Sequence, residues 1–289
     1  KSEIGIYNQQ KKINKEKIIY KLLDINDKAF LEKIIKDENV EIIFHAAAYK
    51  HVNILENNIF SAVKNNIFAT YNVCELSKKY SCEMIFISTD KAANPTSVLG
   101  YTKRVAEKIC EYFNSSNLIK DQIKIVRFGN VFGSSGSAIN DFIDKINNEK
   151  PVQITSKKAS RYFMTVLEAC HLVLQTSSIK SNEKIFILNM GKPINIFELA
   201  SNLANIKMRL NPKYKFEYKE IGLHPGEKLN ETLRDKSEII KKINNEIFAV
   251  VNKKKNNNNF KKLYEKLIYY YSEIKKDELI TFLKKISRQ

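Results

Sequence analysis

The chain has 289 residues, of which 43% are hydrophobic and 28% are charged. This composition supports a folded core and excludes a disordered chain, and no apolar run reaches the roughly 18 residues needed to cross a bilayer. Lys and Arg outnumber Asp and Glu by 49 to 32. The lysines are scattered among asparagines rather than interleaved with aromatic residues, so we expect no nucleic-acid partner.

The first 17 residues hold no continuous apolar core, so no signal peptide is predicted. The four cysteines lie far apart and form no CxxC pair. That spacing predicts neither a zinc site nor a disulfide framework, and no metal is expected. Together these features are typical of the reducing cytoplasm, which is the predicted location.

Short apolar segments alternate with helical patterns through the first half of the chain. Strands are predicted at 18–23, 41–44, 84–88 and 123–128, and amphipathic helices at 29–36, 60–79 and 98–113. Largely apolar strands that alternate with helices indicate a parallel sheet with helices on both faces. We therefore predict an α/β fold with a doubly wound parallel sheet, formed by a first domain at 1–150.

After Gly133 the alternation breaks, and the remaining elements are irregularly spaced. Helices are predicted at 141–148, 194–205 and 261–271, and short strand-like pieces at 152–155 and 185–188. We expect 151–289 to be mainly a smaller lobe that binds the substrate, together with C-terminal helices. This lobe should lie as a lid over the carboxyl edge of the sheet.

Ligands of open parallel sheets bind beyond the carboxyl ends of the strands. The segment Ser88-Thr89-Asp90-Lys91 directly follows an apolar strand, so it places a hydroxyl, a carboxylate and an ammonium at that edge. The alternative is a helix N-cap, but Asn94-Pro95 intervenes before the next helix. We therefore interpret the segment as part of a functional site.

Six segments occur in an order that is recognisable as a set. They are HAAAYKHV at 45–52, NNIFAT at 65–70, STDKAANPTSVLGYTKR at 88–104, VRFGNVFGSSGS at 126–137, RYFMT at 161–165 and GLHPGEKL at 222–229. Together they closely resemble the nucleotide-sugar 4,6-dehydratases of polysaccharide biosynthesis, extended short-chain dehydrogenase/reductases that act on UDP-N-acetylglucosamine. The resemblance implies a Rossmann-type NAD-binding domain, NAD as cofactor and a UDP-N-acetylhexosamine as substrate.

One departure from the family concerns the cofactor. The glycine-rich turn after the first strand, which binds the cofactor pyrophosphate at a helix N-terminus, is not found in the sequence. We therefore expect the sheet to lack its first strand–helix–strand unit and the chain alone to bind NAD poorly. Some relatives carry an N-terminal membrane region, so a membrane tether is expected only through a region preceding this chain.

A second departure lies in the helix at 98–113. Short-chain dehydrogenases usually carry Tyr-x-x-x-Lys, but here Leu99 stands four residues before Lys103. Family members with the membrane region resemble this chain, since they place methionine there. Tyr101 is no substitute, because two residues along a helix turn it about 200° away from the face of Leu99.

The resemblance implies catalytic roles for four residues. In the family reaction hydride passes from C4 of the sugar to NAD⁺, and the resulting ketone acidifies the C5 proton. Loss of that proton and of the C6 hydroxyl is followed by return of hydride to C6. Lys91, with a lowered pKa, is the predicted C5 base, and Asp90, held protonated, the predicted acid for O6. Thr89 should bond the C4 oxygen, and Lys103 should bind the nicotinamide ribose.

The resemblance also implies a binding surface for the UDP end of the substrate. Arg161 should contact the pyrophosphate in a bidentate manner, Asn130 a phosphate, and Glu227 a ribose hydroxyl. His224 stands where the family usually has arginine, so that phosphate contact should be weaker. Lys50 is assigned to the same surface.

The remaining predicted cofactor contacts are spread over several segments: Asp24, Ala46, Ala47, Ala48, Asn66 and Ser88. The small alanines should let a planar cofactor approach the backbone closely. Asp24 corresponds to the adenine-contacting acid of the family, although a turn-capping aspartate is the alternative. His45 and His51 are interpreted as structural.

Two other functions stay open. A nucleotide-sugar 4-epimerase needs no acid at C6, and the adjacent Asp90-Lys91 pair argues against it. A non-catalytic UDP-sugar-binding fragment is the second alternative, since the glycine-rich turn is missing. We also expect the protein to form a homo-oligomer.

Overall fold

A computed structural model of the chain describes residues 3–12, 17–115, 123–134, 136–251 and 259–288. The helices are α1 (Glu3–Lys12), α2 (Lys28–Asp37), α3 (Val52–Asn57), α4 (Ile59–Val63), α5 (Ala69–Lys79), α6 (Val98–Ser115), α7 (Ala138–Asn147), α8 (Val166–Ser178), α9 (Ile196–Leu210), α10 (Phe260–Ser272) and α11 (Lys276–Arg288). The strands are β1 (Ile42–His45), β2 (Glu83–Ile87), β3 (Ile123–Arg127), β4 (Asn130–Val131), β5 (Val152–Ile154), β6 (Ser160–Arg161), β7 (Phe163–Met164), β8 (Ile185–Leu188), β9 (Ile194–Asn195), β10 (Tyr218–Glu220), β11 (Ile239–Lys242) and β12 (Ile247–Val251). A π-helical stretch, Lys64–Phe68, joins α4 to α5, and a 3₁₀ turn, Asp90–Ala92, follows β2.

The central sheet has six strands in the order β1-β2-β3-β8-β12-β11. Neighbours among the first four are parallel, and β12 and β11 complete the sheet in antiparallel pairing. Alternate residues of the middle strands enter two different cores: Phe86 packs on one face and Ile85 on the other. Burial on both faces explains why these strands are almost wholly apolar. The predicted α/β fold with a mostly parallel sheet is confirmed.

Helices cover both faces of this sheet. The larger core brings β2, β3 and β8 against α5, α6, α10 and α11, whereas the smaller core packs α8 on the opposite face. The helix predicted at 60–79 spans α4 to α5, interrupted by the π-helical stretch. None of the helices in the described ranges is long and apolar enough to cross a bilayer.

A separate small lobe lies outside the sheet. It is built from α7, α9, β5 and β10 around a third core that includes Phe142, Val152 and Ala204. Short paired strands connect this lobe to the residues that follow β3, since β4 pairs with β7 and β6 with β9. The first of these pairings places β7 beside β4, which follows the carboxyl end of β3.

Two predicted elements differ from the structure. Residues 18–23 form no strand, and none of the described sheets contains them. The strand at 185–188 was expected in the lid, but β8 pairs with β3 and is buried along its whole length. The sheet therefore crosses the predicted boundary at residue 150, and a division into two domains there stays a prediction.

Candidate active site

The predicted catalytic segment lies where β2 ends. Thr89 is extended and caps the 3₁₀ turn, and its Oγ1 donates to Asp90 Oδ1 at 2.7 Å. The backbone N–H of Asp90 donates to the Phe128 carbonyl at 3.1 Å, which ties the turn to the end of β3. A Cβ atom at position 129 would lie only 3.2 Å from Asp90 Oδ2. Glycine at this position therefore avoids a close contact with the carboxylate.

Asp90 is a fully buried carboxylate with one oxygen engaged and one without a hydrogen-bond partner. Lys91 Nζ donates to Oδ1 at 3.0 Å, and Oδ2 is buried without a partner. A second carboxylate approaches from another part of the chain, since Glu231 Oε1 lies 3.7 Å from Lys91 Nζ. The site thus holds one ammonium between two buried carboxylates.

The charge state of Lys91 differs from the prediction. Desolvation lowers its pKa, but the charges of Asp90 and Glu231 outweigh that effect, so the pKa of Lys91 is raised above its ordinary value. The expected lowered pKa of Lys91 is therefore wrong for the structure without substrate. Lys91 is thus held as an ammonium that donates to Asp90 Oδ1.

Lys103, in contrast to Lys91, has a lowered pKa. Burial lowers it to about 8, even though the charge of Glu107 acts in the opposite direction. Its Nζ donates to the Ile87 carbonyl at 2.6 Å and lies 3.9 Å from the centre of the Phe86 ring. This places the cation beneath the end of β2, directly before Ser88. Leu99, one helical turn earlier, is packed into the larger core.

Ser88 faces a buried ion network. Its Oγ donates to Glu107 Oε1 at 2.6 Å, and Arg127 donates to both oxygens of Glu107 at 2.7 Å. Arg127 also contacts Glu238, with Nη1 to Oε2 at 2.8 Å. Burial raises the pKa of Glu107, but the charges of Arg127 and Arg104 outweigh that effect and hold this pKa at about 2. The hydroxyl assigned to the cofactor is thus directed at Glu107.

The predicted substrate residues Arg161 and Glu227 contact each other. Arg161 Nη2 lies 2.7 Å from Glu227 Oε1, and Nη1 donates to the carbonyls of Ser160 and Leu229 at 2.8 Å. His224 is exposed, and its backbone N–H donates to Glu227 Oε2 at 3.2 Å. Arg161 is also near enough for its charge to act on the pKa of Lys91. The geometry brings these residues to the catalytic segment.

Asn130 and Asn66 hold the loops around the site. The N–H of Asn130 donates to the Tyr162 carbonyl at 2.9 Å, which pairs β4 with β7. Asn66 lies in the π-helical stretch, and its amide accepts from the Tyr49 N–H at 2.8 Å and donates to the Tyr49 carbonyl at 3.0 Å. Asn66 therefore fixes the loop that carries Lys50, which is exposed.

The other predicted cofactor residues come from the part of the chain around β1. Ala46, Ala47 and Ala48 follow β1 directly, at its carboxyl end. Asp24 Oδ1 accepts from the backbone and side-chain nitrogens of Asn26 at 3.0 and 2.9 Å, a turn-capping arrangement. His45 is buried, and burial lowers its pKa to about 3. Its Nε2 lies 3.0 Å from Thr70 Oγ1, as expected of a structural histidine.

Sequence reasoning missed three ionisable residues of the site region. Glu231 stands two residues after GLHPGEKL, and only its proximity to that motif could have indicated it. Arg127 ends the apolar strand β3, and an arginine in that position signals a buried carboxylate partner. Glu107 is that partner and comes from α6, one turn after Lys103.

Comparisons with known proteins identify the family of the chain. A family model described as polysaccharide biosynthesis protein matches residues 1–253. The chain is 39% identical over 227 residues to the capsular polysaccharide biosynthesis protein CapD of Staphylococcus aureus, covering 78% of this chain and 37% of that protein. It thus spans little more than a third of the length of this relative.

Two further curated relatives carry more specific names. A UDP-N-acetylglucosamine 4,6-dehydratase (inverting) of Campylobacter jejuni is 32% identical over 221 residues, covering 74% of this chain and 61% of that protein. A UDP-glucose 4-epimerase of Rickettsia bellii is 30% identical over 250 residues, covering 83% of this chain and 71% of that protein.

Solved structures share the fold. Pen from Bacillus thuringiensis superposes with a TM-score of 0.79 at 31% identity, over 86% of this chain and 76% of that chain. DesIV, a dTDP-glucose 4,6-dehydratase from Streptomyces venezuelae solved with NAD and TYD bound, has a TM-score of 0.70 at 15% identity, over 79% of this chain and 74% of that chain. At that identity the second likeness supports the fold alone.

The family model extends from the N-terminal residues through β12 and includes every catalytic and binding residue discussed above. The resemblance read from the six sequence segments is confirmed. The chain belongs to the family of polysaccharide biosynthesis proteins.

Proposed function

We propose that this chain carries the catalytic site of an NAD-dependent nucleotide-sugar 4,6-dehydratase, which converts UDP-N-acetylglucosamine to a UDP-4-keto-6-deoxy-N-acetylhexosamine. The observation that carries the proposal is the hydrogen-bonded pair of Asp90 and Lys91, 3.0 Å apart at the carboxyl end of β2. Dehydration needs an acid and a base side by side, and this pair supplies both.

The raised pKa of Lys91 is compatible with this role. In the resting pair Lys91 carries the proton and Asp90 is a carboxylate. Transfer of one proton along the 3.0 Å hydrogen bond produces a neutral amine and a carboxylic acid. The amine then takes the C5 proton, the acid gives its proton to O6, and water leaves. No net charge enters the buried site in this sequence, which avoids the cost of desolvating a new ion.

Thr89 and Lys103 complete the catalytic group. Thr89 Oγ1 bonds Asp90 Oδ1 at 2.7 Å, so its hydroxyl lies between the carboxylate and the position proposed for the C4 oxygen. Lys103, with a pKa of about 8, holds a positive charge below the end of β2, where it favours an oxyanion at C4. Arg161, backed by Glu227, faces the diphosphate of the substrate.

The residues present fit the nicotinamide end of NAD. Lys103 is positioned for the ribose hydroxyls, and the small side chains after β1 leave space for a planar group. When bound, NAD supplies the acceptor of the C4 hydride and the donor of the C6 hydride. Asp24 and Asn66 make contacts of their own within the protein, so their proposed role is to shape the loops around the cofactor.

Product analysis tests the proposal. The chain, or the longer protein that carries it, is incubated with NAD and UDP-N-acetylglucosamine in D₂O, and the products are identified by NMR. A 4-keto-6-deoxy sugar labelled at C5 is expected. The C4 epimer alone would identify a 4-epimerase, and binding of the UDP-sugar without turnover would identify a non-catalytic binding protein; either result overturns the proposal.

Two variants divide the reaction between Asp90 and Lys91. Lys91→Ala should retain C4 oxidation, seen as formation of NADH, but lose exchange of the C5 proton. Asp90→Asn should retain C5 exchange but stall before loss of the C6 hydroxyl. Each should lower the overall rate by about 10²–10⁴, the usual range for a positioned acid or base. Full C5 exchange in Lys91→Ala would show that another residue is the base.

The other features predicted from the sequence stay predictions. They are a homo-oligomer, a cytoplasmic location and a membrane tether through a preceding region. The size of the oligomer is measurable by light scattering of the purified protein.

A further inference from the structure

Glu231 is a buried acid that the proposed reaction does not yet use. It is only 6% exposed, and its Oε2 is buried without a hydrogen-bond partner. Its Oε1 lies 3.7 Å from Lys91 Nζ. Burial of a carboxylate is costly unless its charge is compensated, so the position of Glu231 calls for a physical reason.

The segment around Glu231 is anchored over the catalytic turn. Thr96 Oγ1 donates to the Gly226 carbonyl at 3.1 Å, and Lys228 Nζ donates to the Asn94 carbonyl. Ser160 Oγ donates to Asn230 Oδ1 at 2.7 Å. These bonds hold the residues just before Glu231 against the residues just after the turn and against Ser160. The distance between Glu231 and Lys91 is therefore determined by the fold rather than by a free surface side chain.

Three other ionisable groups lie around Lys91 and Glu231. Asp90 Oδ1 lies 3.0 Å from Lys91 Nζ, and Lys228 Nζ lies 3.6 Å from Glu231 Oε2. The charge of Arg161 acts on Lys91 and partly opposes the two carboxylates. Lys91 is thus held between Asp90 on its own turn and Glu231 on the opposite segment. Removal of either carboxylate changes both its position and its charge.

We propose that Glu231 is a positioning residue of this site, which holds Lys91 Nζ beside Asp90 and determines when Lys91 can take the C5 proton. This inference rests on the proposed function. Because the charge of Glu231 raises the pKa of Lys91, Glu231→Gln should lower that pKa. The neutral amine of Lys91 then forms at lower pH, and Lys91 loses one of the two carboxylates that hold it in place.

A chemical probe tests the contact without any turnover. Lys91 is acetylated with acetic anhydride across the alkaline range, in the chain without substrate, and the modified peptide is quantified by mass spectrometry. The pH at half-maximal rate should move down in Glu231→Gln, with a rate on the order of tenfold higher below that pH. Glu231→Asp, which keeps the charge, should stay near the wild type. Glu273→Gln, which removes the charge of an exposed acid, is the matched control and should leave the half-maximal pH of Lys91 acetylation unchanged.

The pH dependence of turnover provides a second test. The acid limb of kcat for C5 exchange should move to lower pH in Glu231→Gln, and kcat at its optimum should fall on the order of tenfold because Lys91 is less well positioned. If Glu231 had only a structural role, Glu231→Gln would lower kcat but leave the acid limb of its pH profile unchanged. If the half-maximal pH of acetylation is the same in Glu231→Gln and wild type, the inference is overturned. If no UDP-sugar is dehydrated, the proposed function fails, but the acetylation result still decides whether Glu231 acts on Lys91.

Discussion

Leu99 occupies the position at which short-chain dehydrogenases usually place a tyrosine, and its surroundings explain what that position can accept. It is 5% exposed and packs in the larger core together with Tyr101, which is 6% exposed. Both side chains are therefore engaged in packing. Leu99 has no hydroxyl, and the phenol of Tyr101 is packed in the core. In the proposed reaction, the proton of the C4 hydroxyl would therefore leave by way of Thr89 or a water molecule held by Lys103.

The packing of Leu99 predicts the cost of restoring the phenol. Leu99→Tyr should lower the free energy of unfolding by about 1–3 kcal/mol, because the larger ring overpacks a filled core. Leu99→Met keeps the volume and should cost less than about 1.5 kcal/mol. Urea denaturation followed by circular dichroism measures both. Equal stability of the two variants would show that this region of the core is open enough to hold a phenol.

For the residues proposed to be catalytic, the sequence predicted their position in the fold better than the charge of Lys91. Thr89, Asp90 and Lys91 follow an apolar strand, and that pattern alone locates them at the carboxyl edge of a sheet. The charge on Lys91 depends on Glu231, which is far away along the chain. No local pattern reports such a contact, so the direction of the pKa shift required the structure.

At the scale of elements, a buried ion network joins α6, β3 and the segment before β11. Glu107 and Arg127 are both fully buried and make two hydrogen bonds of 2.7 Å, and Arg127 continues to Glu238. Glu107→Gln would remove the negative charge that compensates the buried Arg127. It would also give the Ser88 hydroxyl a weaker hydrogen-bond acceptor. Breaking a buried ion pair in this way should cost about 3–5 kcal/mol. Glu111→Gln, one turn further along α6 and half-buried, is the control to be compared by urea denaturation.

The same network predicts a pH dependence of stability. The pKa of Glu107 is about 2 in the folded chain and 4.5 ordinarily, so its ionisation favours the folded state above the ordinary value. That contribution declines as the pH falls below about 4.5 and is gone once Glu107 is protonated in the folded chain near pH 2. The free energy of unfolding should therefore fall less steeply with acid in Glu107→Gln than in wild type. Parallel curves would mean that other carboxylates dominate.

Elements with strong local patterns were predicted well, and those that depend on distant neighbours were not. The helix at 98–113 and the strand at 123–128 correspond to α6 and β3, because their apolar periodicity matches their burial. The apolar segment 18–23 has the same local pattern as a strand, but a strand also needs a paired neighbour. The destination of 185–188 was set by its pairing with β3 rather than by its sequence.

At the scale of the whole molecule, one core connects the central strands with the C-terminal helices. The larger core contains Val73 from α5, residues of β2 and β3, and Leu267 and Leu283 from the C-terminal helices. Strand β12 also belongs to the central sheet, next to β8. The C-terminal helices therefore stabilise the strands that carry Thr89 and Asp90. A mutation there is expected to act on the sheet and not on a separate unit.

This connection predicts how the molecule unfolds. Leu267 is 0% exposed on α10, and the adjacent Ile268 is 42% exposed. Leu267→Ala should lower the free energy of unfolding by about 2–5 kcal/mol, whereas Ile268→Ala on the same helix should stay within about 0.5 kcal/mol of wild type. Because the chain has no tryptophan, the transition is followed by far-UV circular dichroism for the backbone and by near-UV signals for the tyrosines. Both signals should shift together in Leu267→Ala, since the helices and the sheet share one core. Two separate transitions, with only one of them moved by Leu267→Ala, would instead show that the chain unfolds as the two domains divided at residue 150.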